Sequence, residues 1–252
     1  MIAGLCSVTL RALPVDEVLA VGERAGLDAI EWGADVHVPP GDPDAAAVAR
    51  RSADAGLRVA SYGSYLFAGR LTDDLVERTL DTAVGMGAPN VRVWTDWVGP
   101  DPAPAERTRI VEDLQRAASM AAERDLTLSL EFHEGTLTET AGSTLRLLDD
   151  VDAPNLFTYW QPPTGMEPDG ALASWRQVRA RASHLHVFRW RGHDDRQPLE
   201  EGSDLWPAVL ADAPTDGPWP HERVALLEFV RDDSPDQLVA DAAVLKRWIC
   251  VP

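Results

Sequence analysis

The sequence predicts one α/β domain, a closed (β/α)8 TIM barrel that extends over residues 1–252. Eight short apolar runs, rich in Val, Leu and aromatic residues, alternate with segments of helical period. No low-complexity linker or charge run marks a domain boundary, and the chain length suits one such barrel. A doubly wound open sheet shows the same alternation and is the alternative.

The predicted strands follow the apolar runs at residues 2–8, 28–32, 57–62, 90–95, 126–133, 156–161, 183–189 and 224–230. Helical periodicity is clear after the first four strands, at residues 16–26, 44–56, 72–87 and 105–125. Several of these segments end with glycine at the usual cap position. The Asp- and Pro-rich stretch 212–221 is predicted to be a loop before the last strand.

Composition excludes several classes of function. A formal net charge of −18 disfavours binding to nucleic acid or to anionic membrane surfaces. Cys6 and Cys250 support neither a disulfide framework nor a cysteine zinc site, and we interpret both as inert thiols. Lys246 is the only lysine and lies in the last helical segment, which argues against Schiff-base chemistry. No leader or membrane-spanning run is evident, so we expect a cytoplasmic protein.

Polar side chains gather where four successive predicted strands end. These are Glu131 and His133, Tyr159 and Gln161, His184 and His186, and Glu228. Period-two alternation places each pair on one face, and chemistry in closed α/β barrels collects at the C-terminal ends of the strands. Carboxylate, carboxamide and imidazole donors suit Mn²⁺, Mg²⁺, Co²⁺ or Zn²⁺. The sequence therefore predicts a divalent-metal site at this end.

The strand ends LEFHE, YWQP, HLHVFRW and LLEFV resemble those of the xylose isomerase-like barrel superfamily of sugar isomerases and epimerases. The resemblance extends over the whole chain and implies Glu131, His186 and Glu228 as metal ligands. The position of the family's aspartate ligand falls on Gln161, which leaves the ligand set one negative charge short. In the ketose 3-epimerase branch a second Glu lies six residues after the first and a His lies three residues after the Asp, and here those places hold Leu137 and Thr164. The match to that branch is therefore partial.

The resemblance implies a metal-dependent isomerase or epimerase that acts on a sugar, polyol or keto acid through an enediolate. Glu131 and Glu228 are the expected acid and base pair as well as ligands. A metal-dependent lyase, dehydratase or hydrolase on the same barrel is an alternative, because the fold does not fix the reaction. A non-catalytic sugar-binding barrel is a third class, which the neutral Gln161 supports.

Seven further residues are expected to contact the substrate, namely His133, His184, Trp94, Trp32, His37, Tyr62 and Arg189. Tryptophan presents apolar surface to the C–H face of a sugar ring. The loops after the last two predicted strands are acidic, so we expect an unphosphorylated small-molecule substrate. Glu31 and Arg92 are interpreted as an interior ion pair, with the role of Glu31 left open. The sequence leaves a homo-oligomer open.

Overall fold

The computed structural model describes residues 1–192 and 194–250. Eight parallel strands close into a barrel, which confirms the predicted fold and excludes the open sheet. They are β1 (Ile2–Cys6), β2 (Ala29–Gly33), β3 (Arg58–Ala68), β4 (Asn90–Thr95), β5 (Thr127–Leu130), β6 (Leu156–Trp160), β7 (Ala182–Val187) and β10 (Val224–Leu227). Each pairs with its neighbours in chain order, and β10 closes the barrel against β1.

Helices cover the outside of the barrel. They are α1 (Val15–Ala25), α2 (Ala45–Asp54), α3 (Asp73–Gly85), α4 (Pro104–Ala122), α5 (Ala141–Val151), α6 (Pro168–Val178), α7 (Trp206–Ala211) and α8 (Pro235–Ile249). Gly26 ends α1 in the left-handed region, with φ 59°, as its position in the sequence predicts. None of the described helices has the length and apolar character needed to cross a membrane.

Side-chain alternation along the strands separates the helix-facing core from the barrel interior. Trp160 at the end of β6 faces outward and contacts Trp175 of α6 and Trp206 of α7, with ring centroids 5.4 and 6.0 Å apart. All three indoles are at most 1% exposed. Packing between sheet and helices, rather than ligand contact, therefore accounts for these tryptophans.

The structure differs from the predicted elements in the region after β7. An antiparallel hairpin of β8 (Arg189–Arg191) and β9 (Asp195–Gln197) occupies a segment predicted to be a loop.

Strand β5 also differs from its predicted bounds. It stops at Leu130 instead of residue 133, because Glu131 makes the last backbone hydrogen bond to β4, from its N–H to the Val93 carbonyl. The residues after β5 are therefore no longer held in the sheet and extend into the site.

Candidate metal centre and active site

The four predicted metal ligands converge at the C-terminal end of the barrel. His186 Nδ1 lies 3.0 Å from Gln161 Oε1, 3.3 Å from Glu131 Oε1 and 3.2 Å from Glu228 Oε2. Three of these residues directly follow β5, β6 and β10, and His186 is the penultimate residue of β7. Parallel strands end at one edge, so side chains at equivalent positions meet there.

This donor set fits a divalent cation. One imidazole nitrogen faces three oxygens, although it carries at most one proton to share among them. Burial alone would lower the pKa of His186, but the carboxylates of Glu228 and Glu131 outweigh it and raise that pKa well above its ordinary value. His186 is fully buried, and both carboxylates are nearly so. The site therefore brings together two anionic oxygens, one amide oxygen and one imidazole nitrogen. These are ligand types that Mn²⁺, Mg²⁺, Co²⁺ or Zn²⁺ bind in proteins.

Arg92 connects two carboxylates inside the barrel. Its Nε lies 2.9 Å from Glu31 Oε1 and its Nη1 lies 2.5 Å from Glu131 Oε2. Burial raises the pKa of Glu131, but Arg92 and His186 together outweigh that effect and lower the pKa, so the carboxyl stays ionised. The interior ion pair expected between Arg92 and Glu31 is present, and it includes Glu131 as a third member. A Cβ at Gly63 would lie 2.7 Å from both Glu31 and Arg92, so glycine makes room for the pair.

Glu31 is fully buried and accepts two further hydrogen bonds. Tyr159 donates its hydroxyl to Glu31 Oε2 at 2.5 Å, and the Cys6 thiol donates to Glu31 Oε1 at 3.3 Å. Cys6 Sγ also belongs to a group of donor atoms, with His186 and Glu228, that all lie within 4.8 Å of one another. Burial and then the charge of Glu31 raise the pKa of Cys6, so it remains a thiol. Sequence reasoning missed this position because a single cysteine carries no spacing motif.

An aromatic wall stands beside the candidate metal centre. Its members are Tyr65, Phe67, Trp94, Trp97 and His133, whose neighbouring ring centroids lie 4.9 to 6.3 Å apart. Trp97 is 52% exposed and Trp94 is 8% exposed. The indole N–H of Trp94 is buried without a hydrogen-bond partner. The structure thus brings Trp94 and His133, two of the predicted contact residues, to the mouth of the barrel.

Three other predicted contact residues are engaged in hydrogen bonds to the surrounding helices and loops. Trp32 donates to Ser52 Oγ of α2 at 3.0 Å, and Tyr62 donates to the Val38 carbonyl at 2.6 Å. Both are fully buried, since alternation turns them toward the helices. His37 lies between Ser7 Oγ at 3.0 Å and the Leu13 carbonyl at 3.1 Å, where it braces two loops.

The last two predicted contact residues lie at opposite ends of the barrel. His184 accepts a hydrogen bond at Nδ1 from the N–H of Val224, the first residue of β10, at 3.1 Å. It therefore belongs to the lower half of the interior, one alternation below His186. Arg189 begins the β8–β9 hairpin near the mouth, and its Nη2 lies 2.9 Å from Asp204 Oδ2.

Comparisons with known proteins agree with this architecture. Among solved structures, the probable 3-DHS dehydratase AsbF of Bacillus anthracis superposes with a TM-score of 0.81 at 20% identity, covering 98% of this chain and 99% of that one. A D-allulose 3-epimerase from Methylomonas sp. gives a TM-score of 0.72 at 19% identity, with 98% of each chain covered. A xylose isomerase-like TIM barrel protein from Mycobacterium smegmatis, in complex with magnesium, gives 0.72 at 16% identity, with 99% and 97% covered.

Sequence comparison gives a local match and a family match. A 3-dehydroshikimate dehydratase from Bacillus anthracis is 33% identical over 87 residues, which span 32% of this chain and 29% of that protein. The family model described as xylose isomerase-like TIM barrel matches residues 19–247. With that match over most of its length, the chain belongs to the xylose isomerase-like TIM barrel family.

Proposed function

We propose that this protein is a divalent-cation-dependent enzyme that dehydrates a hydroxylated carbonyl compound of carbohydrate-like chemistry. The observation that carries the proposal is the convergence of Glu131, Gln161 and Glu228 on His186 Nδ1, at 3.0 to 3.3 Å. These four residues would hold the cation. A bound divalent cation supplies positive charge beside the substrate carbonyl, which acidifies the neighbouring C–H.

The two carboxylates have different surroundings, and this assigns their roles. Glu131 shares one oxygen with Arg92, so it serves as a charge-compensated ligand. Glu228 makes no ion pair with arginine anywhere in residues 1–192 and 194–250, and its only ion-pair contact there is His186. Glu228 is therefore the better placed general base.

A single general base is sufficient for the elimination of water. Glu228 takes the proton next to the carbonyl, the electron pair moves into an enolate, and the enolate expels the β-hydroxyl group. Return of that proton to the departing hydroxyl releases one water and restores the carboxylate. Epimerisation instead needs an acid on the opposite face. The local identity to a 3-dehydroshikimate dehydratase supports the same choice.

An isomerase or epimerase is the second candidate. Glu131 Oε1 and Glu228 Oε2 both lie close to His186 Nδ1, at 3.3 and 3.2 Å, so two carboxylates stand beside the proposed cation, as a pair of acid and base requires. Similarity in fold to a D-allulose 3-epimerase also favours it. In that mechanism Glu131 would protonate the substrate on the face opposite Glu228.

Charge near the mouth favours an unphosphorylated substrate. The arginines of the hairpin are each paired, Arg189 with Asp204, Arg191 with Glu201 and Arg196 with Asp233. The first turn of α8 offers no free anion site, because Ser234 caps it, Pro235 lacks an N–H and Asp236 adds negative charge. A phosphate dianion would therefore meet no uncompensated cation among these groups.

A substrate screen with added Mn²⁺ tests the proposal. Cyclic and linear hydroxy ketones, including 3-dehydroshikimate, inososes and ketoses, are incubated in deuterium oxide and followed by NMR. Loss of water into a conjugated product supports the dehydratase. Solvent deuterium in unchanged or epimerised substrate, without loss of water, supports the isomerase or epimerase instead. Failure to bind Mn²⁺ in calorimetry, together with no turnover, would contradict both.

A further inference from the structure

The carboxylate of Glu228 is held differently from that of Glu131, the other proposed carboxylate ligand. Glu131 is fixed through its side chain, because Arg92 Nη1 lies 2.5 Å from its Oε2. Within residues 1–192 and 194–250, Glu228 makes no ion pair with arginine, and His186 Nδ1, at 3.2 Å, is its only ion-pair partner. The direction of the Glu228 side chain therefore depends mainly on its backbone.

Three hydrogen bonds hold the two peptide groups that flank the Cα atom of Glu228. The N–H of Glu228 donates to the Val187 carbonyl of β7 at 3.1 Å. Thr9 makes the other two, because its hydroxyl donates to the Leu227 carbonyl at 3.3 Å and accepts from the Phe229 N–H at 3.0 Å. With both peptide groups fixed, the Cα–Cβ bond of Glu228 has a defined direction.

The chain turns sharply directly after Glu228. Strand β10 ends at Leu227, and Phe229 has a φ of 48°, in the left-handed region. A bulky residue rarely adopts this conformation, so surrounding contacts must hold it there. The Phe229 N–H is bonded to Thr9, and the Phe229 ring packs against Trp190, with centroids 5.8 Å apart. Loss of the Thr9 contact would let the turn relax, and the side chain of Glu228 would move with it.

The connectivity of the barrel explains how Thr9 reaches this turn. Thr9 belongs to a short 3-10 helix, Ser7–Leu10, that follows β1, and β1 pairs with β10 where the barrel closes. The side chain of Thr9 is fully buried, so bulk water does not compete for its hydroxyl. Removal of that hydroxyl would take from the Phe229 N–H the partner that it has here, which is costly for a poorly hydrated donor.

We propose that Thr9 is a positioning residue that directs the carboxylate of Glu228 toward the bound cation; this rests on the proposed function, in which Glu228 is a ligand. The hydroxyl of Thr9 is engaged with the backbone on both sides of Glu228. Thr9 therefore acts through Glu228 and is not itself a ligand.

Calorimetric titration of metal-free protein with Mn²⁺ tests the proposal. Thr9→Val removes the hydroxyl and keeps the shape of the side chain, so the affinity should fall by about tenfold or more, as for other residues that orient a metal ligand. Thr9→Ser keeps the hydroxyl and should retain the natural affinity. Thr127→Val is the matched control, because Thr127 is also buried and donates to the Pro89 carbonyl at 3.1 Å, at the opposite end of the barrel. It should bind Mn²⁺ normally.

A double-mutant cycle separates positioning from a general loss of stability. In Glu228→Ala the carboxylate is absent, so the addition of Thr9→Val should not weaken Mn²⁺ binding further. An equal loss with and without the Glu228 carboxylate would overturn the proposal. Natural affinity in Thr9→Val, or equal losses in Thr9→Val and Thr127→Val, would also overturn it.

Two measurements without metal keep the test independent of the proposed function. In crystals of metal-free Thr9→Val, Glu228 Oε2 should lie farther from His186 Nδ1 than the 3.2 Å found here, and in Thr9→Ser it should not. An unmoved carboxylate in Thr9→Val would overturn the positioning role even if Mn²⁺ binds. A moved carboxylate, in a protein whose natural form binds no Mn²⁺, would support that role and contradict the proposed function instead.

Amide hydrogen exchange of the natural protein provides evidence even if Thr9→Val does not fold. The Phe229 N–H should exchange slowly with deuterium, because it is held by the buried hydroxyl of Thr9. Exchange at the rate of an unprotected amide would overturn the proposal.

Discussion

Arg92 donates to Glu131 across an Nη1–Oε2 distance of 2.5 Å, which leaves Glu131 Oε1 as the oxygen that faces His186. The same guanidinium is held from behind by Glu31, 2.9 Å from its Nε. Glu31 thus competes with Glu131 for the charge of Arg92. The negative charge that Glu131 offers to a cation therefore depends on a residue outside the proposed ligand set.

Glu31→Gln should weaken Mn²⁺ binding by about tenfold, because Arg92 would then compensate Glu131 more completely. Calorimetric titration of metal-free protein measures the affinity. Glu222→Gln, at an exposed ion pair on the other end of the barrel, is the matched control and should bind Mn²⁺ normally. Equal affinities in the two variants would show that Glu31 has no influence on the cation.

Gln161→Asp should tighten Mn²⁺ binding by about tenfold or more, because it adds a carboxylate where Gln161 Oε1 lies 3.0 Å from His186 Nδ1. The same titration provides the measurement. Gln177→Asp adds the same charge at an exposed site on α6, and it controls for the effect of one added negative charge on the protein as a whole. If Gln161→Asp and Gln177→Asp change the affinity equally, residue 161 does not touch the ion.

Glu228→Gln should lower kcat by about 10² to 10⁴-fold, as expected when a general base is lost. The fold should be retained, because the amide has nearly the same shape as the carboxylate. Turnover of the substrate identified in the screen is compared at saturating Mn²⁺, with Glu23→Gln on the surface of α1 as control. Activity within a few-fold of that of the natural protein would show that Glu228 is not the general base.

The barrel and the four converging side chains could be predicted because both follow from local patterns. Alternation along a strand determines which face Glu131 or Gln161 occupies, and parallel closure brings equivalent positions together. The ion pair of Arg92 with Glu31 could also be predicted, but the contact of Arg92 with Glu131 and those of Cys6 and Tyr159 with Glu31 could not. They depend on which long side chains cross the barrel interior, and residue spacing does not encode that.

The two cysteines should differ in reactivity toward a thiol reagent such as dithionitrobenzoate. Cys250 is exposed, so the interpretation of both cysteines as inert does not hold for it, whereas Cys6 is fully buried and hydrogen bonded to Glu31. Burial also raises the pKa of Cys6, so little thiolate is available for reaction. We expect one reactive thiol in the folded protein, two in denaturant and none in folded Cys250→Ser. Rapid reaction of a second thiol without unfolding would contradict the buried placement of Cys6.

Arg92→Met should destabilise the fold by about 3–5 kcal/mol, because it leaves Glu31 and Glu131 as buried carboxylates without their cation. Arg58→Met is the matched control: it breaks the exposed Arg58–Glu222 pair and should cost about 0–1 kcal/mol. Urea unfolding followed by circular dichroism measures the free energy of unfolding of both variants. Arg92→Lys should fall between them, since one ammonium cannot span both carboxylates as the guanidinium does. A loss in Arg92→Met no larger than in Arg58→Met would mean that the carboxylates neutralise themselves by protonation, and that Arg92 is not what keeps Glu131 ionised.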